Sequence, residues 1–210
     1  MSTEPESEMS VVVHNKTVLT CRAEGNPAPS YEWLQQLPSG QVLRRSHTAE
    51  LVIEDVGYRD QGEYTCMARN SVGGERREVQ GELVRLEVAG EPQVDKEGGE
   101  VVGVTGQDVT LEGEFCSDPM PVRNTWEWGG VVLPAGSEID GRYRAELVSH
   151  PVREDCYISR LMVRGVNIGD ARTYKLNVEN KHGIDSAIVS LHTEGLFLIN
   201  CYQILDSQSN

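Results

Sequence analysis

Apolar residues recur at every second position in two short stretches of the first half of the chain. Leu51 and Ile53 form one such pair, and Tyr64 and Cys66 form another after a turn that begins at Asp60. Because successive side chains of a β-strand point to opposite faces, each pair faces one side of its strand. The pattern therefore predicts two half-buried strands joined by a tight corner.

A cysteine and a tryptophan precede these two strands. Trp33 follows Cys21 by 12 residues, and the segment between them contains Pro27 and Pro29. Proline donates no hydrogen bond to a strand ladder, so this segment is expected to connect two strands rather than to lie within one. Cys21 should then lie near the end of one strand and Trp33 in the next.

Cys21, Trp33, Asp60, Tyr64 and Cys66 together resemble the signature of an I-set immunoglobulin domain of the kind found in cell-adhesion receptors. The resemblance implies a β-sandwich in which Trp33 packs against a Cys21–Cys66 disulfide. It also implies that Tyr64 forms the tyrosine corner next to Asp60.

The second half of the chain repeats this pattern. Asp170 and Tyr174 lie 110 residues after Asp60 and Tyr64, and Trp128 follows Cys116 by the same 12 residues that separate Trp33 from Cys21. We therefore expect an all-β fold of two tandem immunoglobulin-like β-sandwiches, in which Trp128, Tyr174 and Asp170 form the second core signature. The expected parts are a disordered lead (1–9), a first domain (10–89), a short linker (90–93), a second domain (94–194) and a tail of uncertain structure (195–210).

The family resemblance also implies a partner for each corner aspartate. In I-set domains this residue commonly pairs with an arginine of a preceding strand. The candidates are Arg44 or Arg45 for Asp60, and Arg142 or Arg144 for Asp170.

The second domain departs from the family pattern at one cysteine. The repeat places Leu176 where the first domain has Cys66, so the usual disulfide between the two sheets cannot form there. Cys156 is a candidate partner for Cys116, although its position five residues before the inward-facing Leu161 predicts that it faces outwards. Two free thiols, or a bond to Cys201, remain the alternatives.

Composition and motifs exclude several functions. A formal net charge of −14 argues against nucleic acid as a partner. The five histidines are scattered, no two cysteines form a CxxC pair, and no phosphate-binding or hydrolase motif occurs. We expect no enzyme activity, cofactor, metal or small-molecule substrate. The polar start is not a signal peptide and no apolar run of membrane-spanning length occurs, so we expect a piece of a longer receptor that reaches the membrane only through a missing segment.

An outward-facing surface of the first domain is the expected binding site. If Trp33 and Cys66 face inwards, their strand neighbours Glu32, Leu34, Met67 and Arg69 face outwards, and two of these four are apolar. The equivalent residues of the second domain are polar and less suited to anchor a partner; they are Glu127, Lys175, Asn177 and Glu179. Asn15 begins the only N-x-S/T sequon and is a candidate glycosylation site.

We interpret the chain as an extracellular recognition module of a cell-surface adhesion receptor, which binds a protein partner that could be a second copy of itself. The second domain, which keeps Tyr174 and lacks its cysteine, resembles insect adhesion receptors of the echinoid type. The alternative is an intracellular structural segment of the sarcomeric type, whose cysteines would be reduced. Thiol titration distinguishes the two interpretations.

Overall fold

The computed structural model describes residues 7–96 and 99–195, and the regular secondary structure of these residues is almost entirely β-strand. The expectations for residues 1–6 of the lead and for residues 196–210 of the tail fall outside this range. Two single-turn 3-10 helices, Tyr58–Asp60 and Ile168–Asp170, occur at corresponding corners of the two halves. The chain is an all-β tandem, as the sequence predicted.

The first domain is built from two sheets of unequal size. Its strands are β1 (Ser7–Val12), β2 (Thr17–Thr20), β3 (Ser30–Gln36), β4 (Val42–Ser46), β5 (Glu50–Ile53), β6 (Gly62–Val72) and β7 (Glu75–Ala89). The larger sheet has the order β1-β7-β6-β3-β4, and the smaller one contains only β2 and β5. Trp33, Leu51, Tyr64 and Cys66 are buried in the core between them.

The second domain has two five-stranded sheets. Its strands are β8 (Gln93–Val94), β9 (Glu100–Val104), β10 (Val109–Cys116), β11 (Arg123–Trp128), β12 (Val131–Pro134), β13 (Glu138–Ile139), β14 (Tyr143–Ser149), β15 (Cys156–Val163), β16 (Arg172–Glu179) and β17 (Ile184–Glu194). The sheet orders are β13-β14-β15-β10-β8 and β12-β11-β16-β17-β9. Trp126 and Leu176 lie in the core between the two sheets.

Two of the expected domain limits differ from the structure. β1 begins at Ser7 inside the predicted lead, because Met9 packs against the first core and its sulfur accepts a hydrogen bond from the Thr17 hydroxyl. β8 begins at Gln93, the last residue of the predicted linker, and Gln93 pairs with Cys116 of β10. The second domain therefore starts before residue 94.

The strand registers correct the expected equivalence between the domains. Leu19 faces Leu51 in the first domain and Leu111 faces Leu161 in the second, so Gly113 rather than Cys116 corresponds to Cys21. In the other sheet, Trp33 lies opposite Cys66 in the first domain and Trp126 lies opposite Leu176 in the second. Trp126 is therefore the equivalent of Trp33. The shared Cys–Trp spacing of the two domains was misleading.

Trp128 therefore does not hold the position that the sequence analysis assigned to it. It is buried in the second core, but its ring contacts Tyr143 and Tyr174, with centroids 5.0 Å and 5.4 Å apart. In the first domain the corresponding position is Gln35, which faces Tyr64. The core tryptophan that packs where the cystine would lie is Trp126.

The site of the missing cystine is filled by a glycine and a leucine. A Cβ atom on Gly113 would lie 2.5 Å from Cδ2 of Leu176, which is much closer than two carbon atoms can approach. The leucine side chain therefore occupies the space that a side chain on β10 would need. This packing replaces the covalent link between the two sheets.

The two domains meet in a hydrogen-bonded junction. The Asp118 amide donates to the Tyr58 hydroxyl at 2.7 Å, and the Asn180 side-chain amide donates to the Gly90 carbonyl at 2.6 Å. Burial raises the pKa of Tyr58 to about 12, so its hydroxyl stays neutral. Sequence reasoning gave no role to Tyr58 or Asn180, because their partners lie in the other domain or in the linker.

Candidate partner-binding face

The outward face of β3 and β6 brings the four predicted contact residues together. Glu32 lies directly opposite Met67 in the strand register, Arg69 lies opposite Ser30, and Leu34 lies opposite Thr65. The alternation around Trp33 and Cys66 places all four on the side of the sheet that faces away from the core. These residues form what we call the β3–β6 face.

The burial of these residues differs from the expectation. Glu32 was predicted to be exposed, but it is only 5% exposed. Its carboxylate is covered by two guanidinium groups from neighbouring strands, Arg44 at 2.9 Å and Arg69 at 2.5 Å. Leu34 and Met67 are half-buried rather than fully exposed, and Arg69 is exposed.

An ion-pair ladder crosses this face over four strands. Arg69 of β6 also binds Glu78 of β7 at 2.6 Å, so the order across the sheet is Glu78, Arg69, Glu32 and Arg44. The hydrogen bond from Arg69 lowers the pKa of Glu32, although partial burial acts in the opposite direction. The arrangement holds the long side chains in place before any partner arrives, which reduces the entropy lost on binding.

Both corner aspartates pair with one of their two candidate arginines. Asp60 binds Arg45 at 2.7 Å and its backbone carbonyl accepts the Tyr64 hydroxyl at 2.6 Å. Arg44 instead binds Glu32, because the β3–β4 register shifts at Trp33 and leaves Arg45 as the extra residue. This shift turns Arg45 towards the corner.

The corner of the second domain uses Arg142 rather than Arg144. Asp170 binds Arg142 at 2.7 Å and also accepts the Tyr143 hydroxyl, while the Tyr174 hydroxyl donates to the Asp170 carbonyl at 3.0 Å. Burial alone would raise the pKa of Asp170. Hydrogen bonds from Tyr143, from the Asn167 amide and from Arg142 outweigh it and hold that pKa below the usual value.

Two disulfides are present in the described residues. Cys21 and Cys66 bridge the two sheets of the first domain with Cα atoms 6.2 Å apart. Cys116 and Cys156 are bonded across neighbouring strands β10 and β15, where they lie directly opposite each other. The sequence analysis left this second bond open.

The strand register confirms the prediction that Cys156 faces outwards. Cys116 and Cys156 lie an odd number of residues from the inward-facing pair Leu111 and Leu161, so they lie on the outer side of the second domain. They are nevertheless buried, because they belong to the same apolar cluster as Tyr58 and the first core. The first domain thus covers the second disulfide.

Other candidate sites give little further chemistry. Asn15 is exposed in the turn between β1 and β2. Within the described ranges, no group of three or more histidine, cysteine or acidic side chains is placed to hold a metal ion. The same ranges contain no helix that is long and apolar enough to cross a membrane.

Comparison with known proteins agrees with this architecture. Residues 1–70 match a family model described as "Immunoglobulin domain". The chain is 28% identical over 186 residues to neural cell adhesion molecule L1 of Rattus norvegicus, and this match covers 87% of this chain and 13% of that protein. It is 29% identical over 179 residues to neurofascin of Gallus gallus, and this match covers 83% of this chain and 12% of that protein.

A solved structure shows the same fold. The crystal structure of Dpr2 Ig1-Ig2 in complex with DIP-Theta Ig1-Ig3 aligns with a TM-score of 0.50 at 22% identity, and the match covers 92% of this chain and 64% of that chain. The chain spans only about an eighth of the length of L1 and of neurofascin.

The chain therefore belongs to the immunoglobulin superfamily and is a tandem of two immunoglobulin-like domains related to those of cell-adhesion molecules. The narrower resemblance to echinoid-type receptors stays a prediction.

Proposed function

We propose that this chain is an extracellular recognition module of a cell-surface adhesion receptor and that the β3–β6 face binds a protein partner. The similarity to neural cell adhesion molecule L1, which extends over 87% of this chain, supports the general role. The observation that carries the specific site is the ion-pair ladder from Glu78 to Arg44, which surrounds the half-buried Met67 and Leu34.

This face has the composition of a protein contact. Apolar side chains at its centre can be desolvated by a partner, while the arginines and glutamates around them can select its charge pattern. Arg44 has a side chain that is 72% exposed although it is bonded to Glu32, so part of its guanidinium remains accessible. The face therefore suits a partner with an apolar centre and an acidic rim. Asn15, on the turn between β1 and β2, is the proposed glycan site.

A bead assay tests this proposal. Beads coated with the whole chain should cluster with each other if the partner is a second copy, or bind cultured epithelial or neuronal cells if it is another protein. The double change Leu34→Asp and Met67→Asp should weaken this binding by at least about tenfold, since buried charges would replace the apolar centre.

The matched control is Ile188→Asp, which places the same charge on an exposed position of the second domain. It should leave binding unchanged, and circular dichroism should show that both variants remain folded. Arg44→Gln is a milder change, because it removes the exposed positive charge and keeps an amide that can still donate to Glu32, and it should also weaken binding. The proposal fails if wild-type beads bind nothing, or if the folded face variants bind as well as wild type.

A further inference from the structure

The first domain lacks a strand that the second domain has. In the second domain β14 pairs with the outer edge of β15, from Tyr143 opposite Val163 to Ser149 opposite Tyr157. In the first domain only residues 47–49 separate β4 from β5, and within the described residues β5 pairs with β2 alone. The outer edge of β5 is therefore open where β15 is covered.

The hydrogen-bond pattern shows which backbone groups are free at this edge. The Cys21 amide donates to the Ala49 carbonyl, so Cys21 and Ala49 are a hydrogen-bonded pair between β2 and β5. Hydrogen-bonded pairs recur at every second residue of an antiparallel ladder, so Leu51 and Ile53 of β5 also bond to β2. Glu50 and Val52 must then direct their amide and carbonyl groups away from β2. The Glu50 carbonyl accepts the Thr48 hydroxyl at 2.5 Å, which leaves the amide and the carbonyl of Val52 at the centre of the open edge.

The second domain shows how such an edge is completed. Met162 occupies the position of Val52, because Leu161 and Leu51 are equivalent, and it faces Arg144 of β14. The His150 amide donates to the Cys156 carbonyl, so these two residues are a hydrogen-bonded pair between β14 and β15. Counting on by every second residue along the ladder makes Arg144 and Met162 a hydrogen-bonded pair as well. The edge of β5 thus presents the acceptor and donor that β14 satisfies in the other domain.

There is also room for side chains of an added strand. A groove of about 630 Å³ lies between β4 and β5, and its lining includes Leu43, Arg44, Arg45, Val52, Ile53 and Glu54. Val52 is 42% exposed and lies opposite Val18, which is 39% exposed, so an apolar strip borders the open edge. Both features favour an extended segment over a globular surface.

The negative charge of Glu50 and Glu54 favours another protein over a second copy of this chain as the occupant of the open edge. If two copies paired antiparallel through Val52, Glu50 of one copy would lie opposite Glu54 of the other, and like charges across a ladder are destabilising. In the second domain Arg160, at the position of Glu50, lies 3.8 Å from Glu146 of β14. The first domain carries the opposite sign at this position, so a matching strand needs a basic residue there.

We propose that the open edge of β5 binds an extended segment of another protein as an added antiparallel strand, with a lysine or arginine of that segment opposite Glu50. This is recognition by strand addition, in which main-chain hydrogen bonds give affinity and alternate side chains give specificity. It uses the edge of the smaller sheet, whereas the β3–β6 face lies on the larger sheet. Arg44 lines the groove and also ends the ion-pair ladder, so the two sites share this one side chain.

A peptide derived from the chain itself can test this. A synthetic peptide of residues 142–150 carrying Glu146→Lys places a lysine opposite Glu50 when it takes the position of β14. Added to the isotope-labelled full chain, it should shift the Val52 amide resonance and slow its hydrogen exchange. The unchanged peptide should bind about fivefold more weakly, because it places a glutamate opposite Glu50. In a Glu50→Lys chain this preference should reverse.

Proline substitution provides the matched pair of variants. Val52→Pro removes the outward amide without removing a bond to β2, so the chain should fold and lose peptide binding. Val42→Pro makes the same change on the outer edge of β4. The Leu37 amide bonds to the Gln41 carbonyl, so the amide of the next residue, Val42, points away from β3. This control should bind the peptide normally.

Three results would overturn the proposal. These are an unchanged Val52 amide with both peptides, a peptide preference that ignores the charge at residue 50, and normal binding by a folded Val52→Pro chain. Self-association of the chain that disappears in Val52→Pro would show that the partner is a second copy, which contradicts the occupant proposed here.

Discussion

The corner aspartates show how single residues set the local structure of each domain. Asp170 accepts hydrogen bonds from Tyr143, from Arg142 and from the Asn167 amide, and its own carbonyl receives the Tyr174 hydroxyl. Two segments of the second domain are thus tied to the Asp170 side chain, and β16 is tied to its backbone carbonyl. Because the pKa of Asp170 is lowered by these bonds, its contribution to stability depends on its charge.

Acid should therefore weaken the second domain through this residue. The pKa of Asp170 is lower in the folded chain than the reference value of 3.8. The ionised carboxylate therefore contributes its full stabilisation of the second domain above pH 3.8, and this stabilisation is lost as the pH falls below that value. Asp170→Asn should cost about 2 kcal/mol at neutral pH, and the loss of stability as the pH falls below 3.8 should become shallower. Hydrogen exchange of the β15 and β16 amides in urea measures both effects.

The control for this prediction is Glu179→Gln, which removes one partner of a surface ion pair in which the Arg123 side chain is 69% exposed and that of Glu179 is 32% exposed. Surface pairs of this kind contribute less than about 1 kcal/mol, so the pH dependence of the second domain should stay close to that of wild type. An Asp170→Asn chain with unchanged stability at neutral pH would contradict the role given to this corner.

At the residue scale, sequence reasoning found the corner but not all of its partners. Asp60 and Tyr64 are recognisable from spacing alone. The choice between Arg44 and Arg45 depends on a register shift beside Trp33, which no local pattern reveals. The burial of Glu32 was missed for a related reason, since Arg44 and Arg69 reach it from two other strands.

At the scale of strands, the facing pair Gly113 on β10 and Leu176 on β16 explains how the second domain holds its sheets together without the usual bond. The repeat correctly placed Leu176 at the position of Cys66. It failed on β10, because Cys116 and Trp128 reproduce the Cys–Trp spacing by coincidence. Only the pairing of Leu111 with Leu161 shows that Gly113 is the partner position.

Restoring the bond tests this equivalence. The double change Gly113→Cys and Leu176→Cys should form a disulfide, because it removes the leucine that excludes a side chain at residue 113. Thiol counting and peptide mapping should detect the new bond, and the second domain should gain up to roughly 4 kcal/mol if the geometry is unstrained.

The single change Gly113→Ala is the matched comparison. It adds a methyl group while Leu176 remains, so it should cost about 1–3 kcal/mol through overpacking. Free thiols in the double variant, or an unaffected Gly113→Ala chain, would show that β10 and β16 do not face each other as described.

At the scale of the whole molecule, the junction joins two similar domains that differ at their edges. The first domain has the inter-sheet cystine and an open β5 edge. The second has β14 over the corresponding edge and a cystine that is buried against the first domain. The sequence predicted the tandem and its short linker, whereas the contacts of Tyr58 and Asn180 join residues too distant in sequence for any pattern to show.

The redox state of the native protein tests the proposed extracellular role most directly, because disulfides persist outside the cell whereas cytosolic thiols stay reduced. Peptide mapping of the protein from its natural source, alkylated before digestion, should recover the pairs Cys21–Cys66 and Cys116–Cys156 as linked peptides. Recovery of these four cysteines as alkylated free thiols would contradict the account and favour the intracellular alternative.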